Sequence, residues 1–209
     1  MIATGEPRPP YDVWCPLGSL PLALRIEPEN LPREPYLLAP PIRIDEWQQR
    51  LEAAEPPRVG IAWAGNRAFR NDHNRSIGLA RLLRAVKAID ATPISLQKSV
   101  GEDERSTLDA EGIRDYERHI GDFADTAALI SCLDLVISSD TSEVHLAGAL
   151  GRPVWVLLHY DADWRWLADR SDSPWYSSAR LFRQQVPGDW DNVVDQVVRC
   201  WRDMLRPSQ

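Results

Sequence analysis

The chain has 209 residues, with 24 Lys+Arg against 31 Asp+Glu and a formal net charge of −7. Its 44% apolar and 26% charged residues make an ordinary globular composition, long enough for one medium α/β domain with appendages or for two small domains. The acidic balance argues against a general nucleic-acid binder, and no apolar run approaches the roughly 18–20 residues that cross a bilayer. Met1 to Pro10 lacks the basic-then-apolar pattern of an export signal. Cys15, Cys132 and Cys200 are odd in number and far apart, and are expected to be reduced, buried thiols of a cytoplasmic protein.

Twelve of the 17 prolines fall within residues 7–57, so residues 1–42 cannot form a long helix. They are expected to be an extended wrapping segment with short turns. Apolar residues such as Tyr11, Trp14 and Leu20 suggest that it packs against something. Ile44 to Ala54 reads as a helix, with Asp45 as its N-cap and Pro56-Pro57 as its stop. From Arg58 the pattern alternates. Apolar strands are expected at Val59–Trp63, Pro93–Leu96, Leu135–Ser138 and Pro153–Leu158, with weaker ones near Tyr116–Ile120 and Ala179–Phe182. Helices are expected at Leu79–Ile89, Glu102–Ala110, Thr126–Leu133, Ser142–Leu150 and about Asn192 to Leu205. Continuous apolar strands separated by helices predict a doubly wound, Rossmann-like α/β domain with a parallel sheet. The expected division is therefore residues 1–57 as a Pro-rich segment plus helix and 58–209 as the α/β domain.

In such a sheet, ligands bind beyond the carboxyl ends of the strands. The loop after the first strand, Ala64 to Ser76, carries three arginines. Gly60-x-x-x-x-Gly65 has P-loop glycine spacing, but Asn66-Arg67 stands where Lys-Ser/Thr is required, and no dinucleotide fingerprint follows. Gly65 permits close backbone approach and the arginines could meet a diphosphate; a solvated, ion-paired loop is the alternative. Lys98 could reach a phosphate or simply be exposed. The stretch Ser139-Asp140-Thr141-Ser142 opening a helix is a prepared anion site, with Asp140 or Thr141 as cap. Thr141 and His145 share one helix face, and Gly148 one turn on allows tight packing. Asp140 could equally be a plain cap and His145 a satisfied core histidine.

The run Asp140-Thr141-x-x-x-His145-Leu146-Ala147-Gly148-Ala149-Leu150-Gly151-x-Pro153 resembles the nucleotide-sugar motif of the heptosyltransferase-like glycosyltransferases, family 9, of GT-B architecture. Val59-Gly60-Ile61-Ala62-Trp63-Ala64-Gly65-Asn66, Asn71 to Ile77, Ser95-Leu96-Gln97-Lys98, Asp122 to Ile130, Asp163 to Leu167 and Asp172 to Tyr176 extend the likeness over most of the chain. It is nearest to the glycosyltransferase-like domain at the C-terminal end of bacterial tetratricopeptide-repeat proteins. The resemblance implies a nucleoside diphosphate sugar as ligand. Asp140, Thr141 and His145 would face the donor, Asp140 at the sugar or ribose hydroxyls and Thr141 with the following N–H groups at the diphosphate. Gly65, Asn66 and Arg75 would flank the phosphates, and Gln97 and Lys98 the nucleotide. Ser142 departs from the glycine usual in heptosyltransferases and narrows the approach to the phosphates.

GT-B enzymes pair two α/β domains, and the first supplies the acceptor site and, in heptosyltransferases, a catalytic carboxylate. Gly5 to Asp12 looks like the end of that first domain, so the chain reads as the donor-binding C-terminal half. Its expected partners are an N-terminal half and helical repeats on the same or another chain, and no catalytic residue is assigned here. No cofactor is expected. Asp161-Ala162-Asp163 and Asp189-Trp190-Asp191 match a metal-binding D-x-D triplet, but lack its context, and the histidines and cysteines show no zinc spacing. Trp164 and Trp166 could stack on a sugar or pack; Trp155 belongs to a buried strand. The alternative functions are a non-catalytic interaction module derived from such a domain and a sugar-nucleotide epimerase.

Overall fold

The computed structural model describes residues 5–7 and 9–205. Arg8, within the segment read as the end of a preceding domain, lies outside the described residues, as do residues 1–4 and 206–209. The chain divides into two compact units, residues 1–32 and 33–209. In the first, single turns form at Leu17–Ser19 and Pro28–Asn30, and one α-helical turn, α1, at Leu20–Ala23. The prolines account for this brevity. Within this unit Tyr11, Val13, Trp14, Leu17, Leu22 and Leu24 are exposed. Cys15 is exposed too, against the expectation of a buried thiol, whereas Cys200 is buried and Cys132 half-buried.

The second unit opens with α2 (Pro41–Arg50). It starts earlier than Asp45, because Pro41 sits at the first helical position, where a missing N–H costs nothing. Then follow β1 (Arg58–Ala62), α3 (Asp72–Arg75), α4 (Leu79–Ala88), β2 (Thr92–Ser95), α5 (Glu102–Ala110), β3 (Arg114–Asp115), α6 (Phe123–Ser131), β4 (Leu135–Ser139), α7 (Ser142–Ala149), β5 (Val154–Leu158), β6 (Ala179–Arg183) and α8 (Trp190–Leu205). Two boundaries correct the sequence reading. The weak strand expected near Tyr116–Ile120 is a 3-10 turn, Glu117–His119, preceded by the two-residue β3. Helix α6 begins three residues early because the Asp122 carboxylate accepts from Ala124 N and Asp125 N.

All six strands are parallel in the order β3-β2-β1-β4-β5-β6. This is the doubly wound Rossmann order, and its switch point lies between β1 and β4. Alternation along each strand divides the core in two. Val59, Ile61, Ile137, Trp155 and Leu157 pack with Leu82, Val86, Val193 and Val197 of α4 and α8. Ala62, Val136, Val154, Val156 and Leu158 pack with Trp47 of α2, Leu129 of α6 and Val144 and Ala147 of α7. Trp155 is core, against Phe182 and Trp201. The bare mouth left between β1 and β4 is where the site forms.

Candidate functional site

Three cavities follow one another along the carboxyl ends of the strands. The first, about 610 Å³, is lined by Gly65, Asn66, Arg75, Gln97, Lys98, Thr141 and Ser142, with Phe69, Ser99 and Phe123 at its walls. The second, about 460 Å³, shares Phe69, Arg75, Thr141 and Ser142 with the first and adds Asp140, His145, Asp163 and Arg165. The residues that the resemblance placed around a donor therefore each line one of these two spaces, whereas Trp164 and Trp166 line neither.

The β1 wall is a bonded scaffold. Asp72 Oδ1 accepts from Arg75 Nη2 at 2.7 Å and from Ser76 Oγ at 3.0 Å, and Ser76 Oγ in turn accepts from Gly65 N at 3.2 Å. Arg75 also lies 4.9 Å over the Phe69 ring. A Cβ at residue 65 would stand 1.9 Å from Arg75 Nη2, so glycine leaves the guanidinium its place beside Asp72. Gln97 is buried, and its amide is spent on the backbone. Its Oε1 accepts from Trp63 N and Ala64 N, and its Nε2 donates to Ala64 O and Lys98 O. Gln97 thus fixes the path of the loop, while Lys98 lies exposed beside it. Glu104 of α5 accepts from the Trp63 indole at 2.9 Å and from Arg67 at 2.7 Å, which anchors the rim. Ser99 adopts a left-handed φ of 58°, where a β-substituent is strained, and Glu117 accepts from its N–H.

The β4 wall is open. Thr141 is the N-cap of α7, but makes no side-chain cap bond; its hydroxyl pairs with Ser138 Oγ at 3.0 Å instead. The first-turn N–H groups of α7 have no partner within the helix, so this end keeps its anion-binding capacity. Asp140 is buried, yet its carboxylate accepts no hydrogen bond among the described residues; its nearest charged partner is His145 Nε2 at 3.7 Å. His145 stacks on the buried Trp166, with centroids 5.2 Å apart, and its Nδ1 pairs with Tyr176 Oη at 3.1 Å. Burial pushes the His145 imidazole pKa down, opposed by the Asp140 charge, so the neutral ring is favoured. Burial and the Tyr36 hydroxyl hold the Tyr176 phenol far above its ordinary value. The Tyr176 ring lies where a Cβ at residue 148 would be, 2.3 Å from its Cγ, so Gly148 is what lets Tyr176 reach His145. Trp164 is exposed, unlike Trp166.

The sequence reading missed Phe69 and Phe123 at the first cavity and His159 at the second. Exposed aromatic rings give no periodic signal, and His159 belongs to no motif. Among the described residues no group of three or more His, Cys, Asp or Glu is placed to hold a metal ion, and no helix is long and apolar enough to cross a membrane.

No protein-family model matches the chain. It is 28% identical over 201 residues to Protein FlbA of Caulobacter vibrioides, a match that covers 92% of this chain and 33% of that protein. The chain thus spans about a third of the curated relative it matches. The structure of E. coli ADP-heptose lps heptosyltransferase II superposes with a TM-score of 0.57 at 16% identity, covering 84% of this chain and 57% of that one. The glycosyl transferase family 9 structure from Veillonella parvula DSM 2008 also gives 0.57, at 9% identity, covering 81% and 53%. The class is therefore defined by fold: this is a Rossmann-like domain with the fold of a GT-B-like glycosyltransferase domain.

Proposed function

We propose that the chain binds a nucleoside diphosphate sugar and serves as the donor-binding half of a cytoplasmic glycosyltransferase. One observation carries this: the Arg75 guanidinium and the uncapped end of α7 face the same two cavities at the switch point of the sheet. Arg75 supplies a planar cation, the α7 amides supply donors, and Gly65 keeps the backbone close. The uncharged Ser142 hydroxyl narrows the mouth without repelling a phosphate. Two or three charge-assisted hydrogen bonds of about 1.5–3 kcal/mol each, less the cost of association, give micromolar-to-millimolar affinity.

Calorimetry with ADP, GDP and UDP tests this. Saturable heat with at least one of them, lost in Arg75→Ala, is the expected result, and no heat at millimolar ligand would overturn it. The acceptor site and catalytic carboxylate are assigned to a partner N-terminal half, and helical repeats are the expected context.

A second reading, an interaction module, is favoured by the exposed apolar side chains of residues 11–24. Light scattering of the purified chain separates the two. A stable oligomer or complex, together with a melting temperature indifferent to nucleotides, would favour the module.

A further inference from the structure

We propose that His159, with Asp161 and Asn71, forms a hydroxyl-recognition subsite that reads the sugar of the bound nucleotide sugar. This deepens the donor-binding reading and rests on it. His159 follows directly on β5, and its backbone is held on both sides. Leu158 O accepts from Gln184 N at 3.0 Å, and Tyr160 N donates to Gln184 Oε1 at 3.1 Å. The side chain is only 7% exposed, yet it makes no hydrogen bond among the described residues. Neither ring nitrogen is sealed from the cavities it lines, so the pinned imidazole presents both to a ligand group.

His159 stands where two spaces meet. It lines the second cavity and also a third, of about 360 Å³, and those cavities share Asn71 and Asp161 as well. Asn71 Oδ1 is taken by Asn74 Nδ2 at 2.7 Å, which leaves the Asn71 NH₂ as a donor. The Asp161 carboxylate has no hydrogen bond or ion pair among the described residues and remains an acceptor. Burial holds His159 in its neutral form, which offers one donor and one acceptor.

This set discriminates among ligand chemistries. An anion would meet Asp140, Asp161 and Asp163, and a cation would meet Arg75 and Arg165. An apolar group would leave the imidazole unsatisfied. Hydroxyl groups, each both donor and acceptor, satisfy all three side chains. Geometry supplies the connection: the second cavity adjoins the first through Arg75, Thr141 and Ser142, so a sugar on the terminal phosphate extends toward His159.

The test is the ratio of affinities between ADP-glucose, GDP-mannose and UDP-glucose and their own nucleoside diphosphates, by calorimetry. For the base that binds, the wild-type sugar nucleotide is expected to be tighter by about tenfold, the scale of one or two well-made hydrogen bonds. His159→Phe keeps a planar ring and removes both nitrogens. It should bring that ratio to one while leaving nucleoside diphosphate affinity unchanged, and His159→Gln should restore part of it. Asp161→Asn, at an exposed position, reports the same loss of ratio if His159→Phe does not fold. Diphosphate binding with a wild-type ratio of one, or a ratio indifferent to all three variants, overturns the subsite and leaves the donor reading standing. Failure of every diphosphate to bind removes both.

Discussion

The two walls of the first cavity are both strand-end loops at the switch point, but they are built on opposite plans. On the β1 side the polar groups answer one another: Asp72 holds Arg75 and Ser76, and Ser76 holds Gly65. On the β4 side they are left open: Thr141 declines to cap α7 and Asp140 accepts no hydrogen bond among the described residues. The bonded wall aims a cation, and the open wall keeps its donors unspent. A binding site needs both, because a guanidinium without a scaffold wastes entropy on ordering, and a capped helix end has nothing left for an anion.

The bonded wall breaks most heavily at its centre. Asp72→Ala leaves Arg75, only 20% exposed, without its carboxylate. A loss of about 3 kcal/mol in chemical denaturation is expected, the low end for a severed buried pair. Nucleotide binding should fall with it, and a loss below about 1 kcal/mol would show that the pair behaves as a surface one. The open wall has its own weak point in Gly148→Ala, which drives a methyl into the Tyr176 ring. Overpacking of that kind costs about 1–3 kcal/mol, read as a lower melting temperature. Loss of the Tyr176–His145 bond should follow in the histidine NMR signals. Thr141→Asp sharpens the contrast, because it moves stability and binding in opposite directions. An aspartate cap is worth about 1 kcal/mol to a helix. Stability should therefore hold or rise while the added carboxylate at the mouth lowers nucleoside diphosphate affinity tenfold or more. Tighter binding in that variant would show that the end of α7 does not receive the phosphates.

Periodicity and composition carried the parallel sheet and most helices, because buried strands of Val, Ile and Leu broken by helical stretches admit few other architectures. The two-residue β3 was invisible for the opposite reason: Arg114 and Asp115 are half-buried and polar, and only their pairing with Ile94 and Ser95 makes them strand. Gly65, Arg75, Thr141 and Ser142, chosen by motif, line one cavity. Motif spacing could not say that the Gln97 amide would be consumed by backbone, nor that Thr141 would bond Ser138 rather than its own helix. Those outcomes depend on a side chain's neighbours in space. His159 lay outside every pattern because its meaning comes from two cavities that only the folded chain creates.

The smallest expected effect concerns protons on the open wall. Burial lowers the pKa of both His145 and His159, so the folded chain holds them neutral, whereas the unfolded chain protonates them near pH 6.5. Between the folded and unfolded values the unfolded state binds more protons. Stability is thus complete above pH 6.5 and declines as pH falls toward the folded values, by at most about 1.4 kcal/mol per pH unit for each ring. Asp122 and Asp172, held low by Arg43 and Arg170, act at more acidic pH. His145→Phe keeps an aromatic ring against Trp166 and removes one titrating group. Its denaturation midpoint should fall less steeply than that of the wild type as pH drops below 6.5. An unchanged slope would place the proton uptake elsewhere and take from His145 its part in holding the open wall neutral.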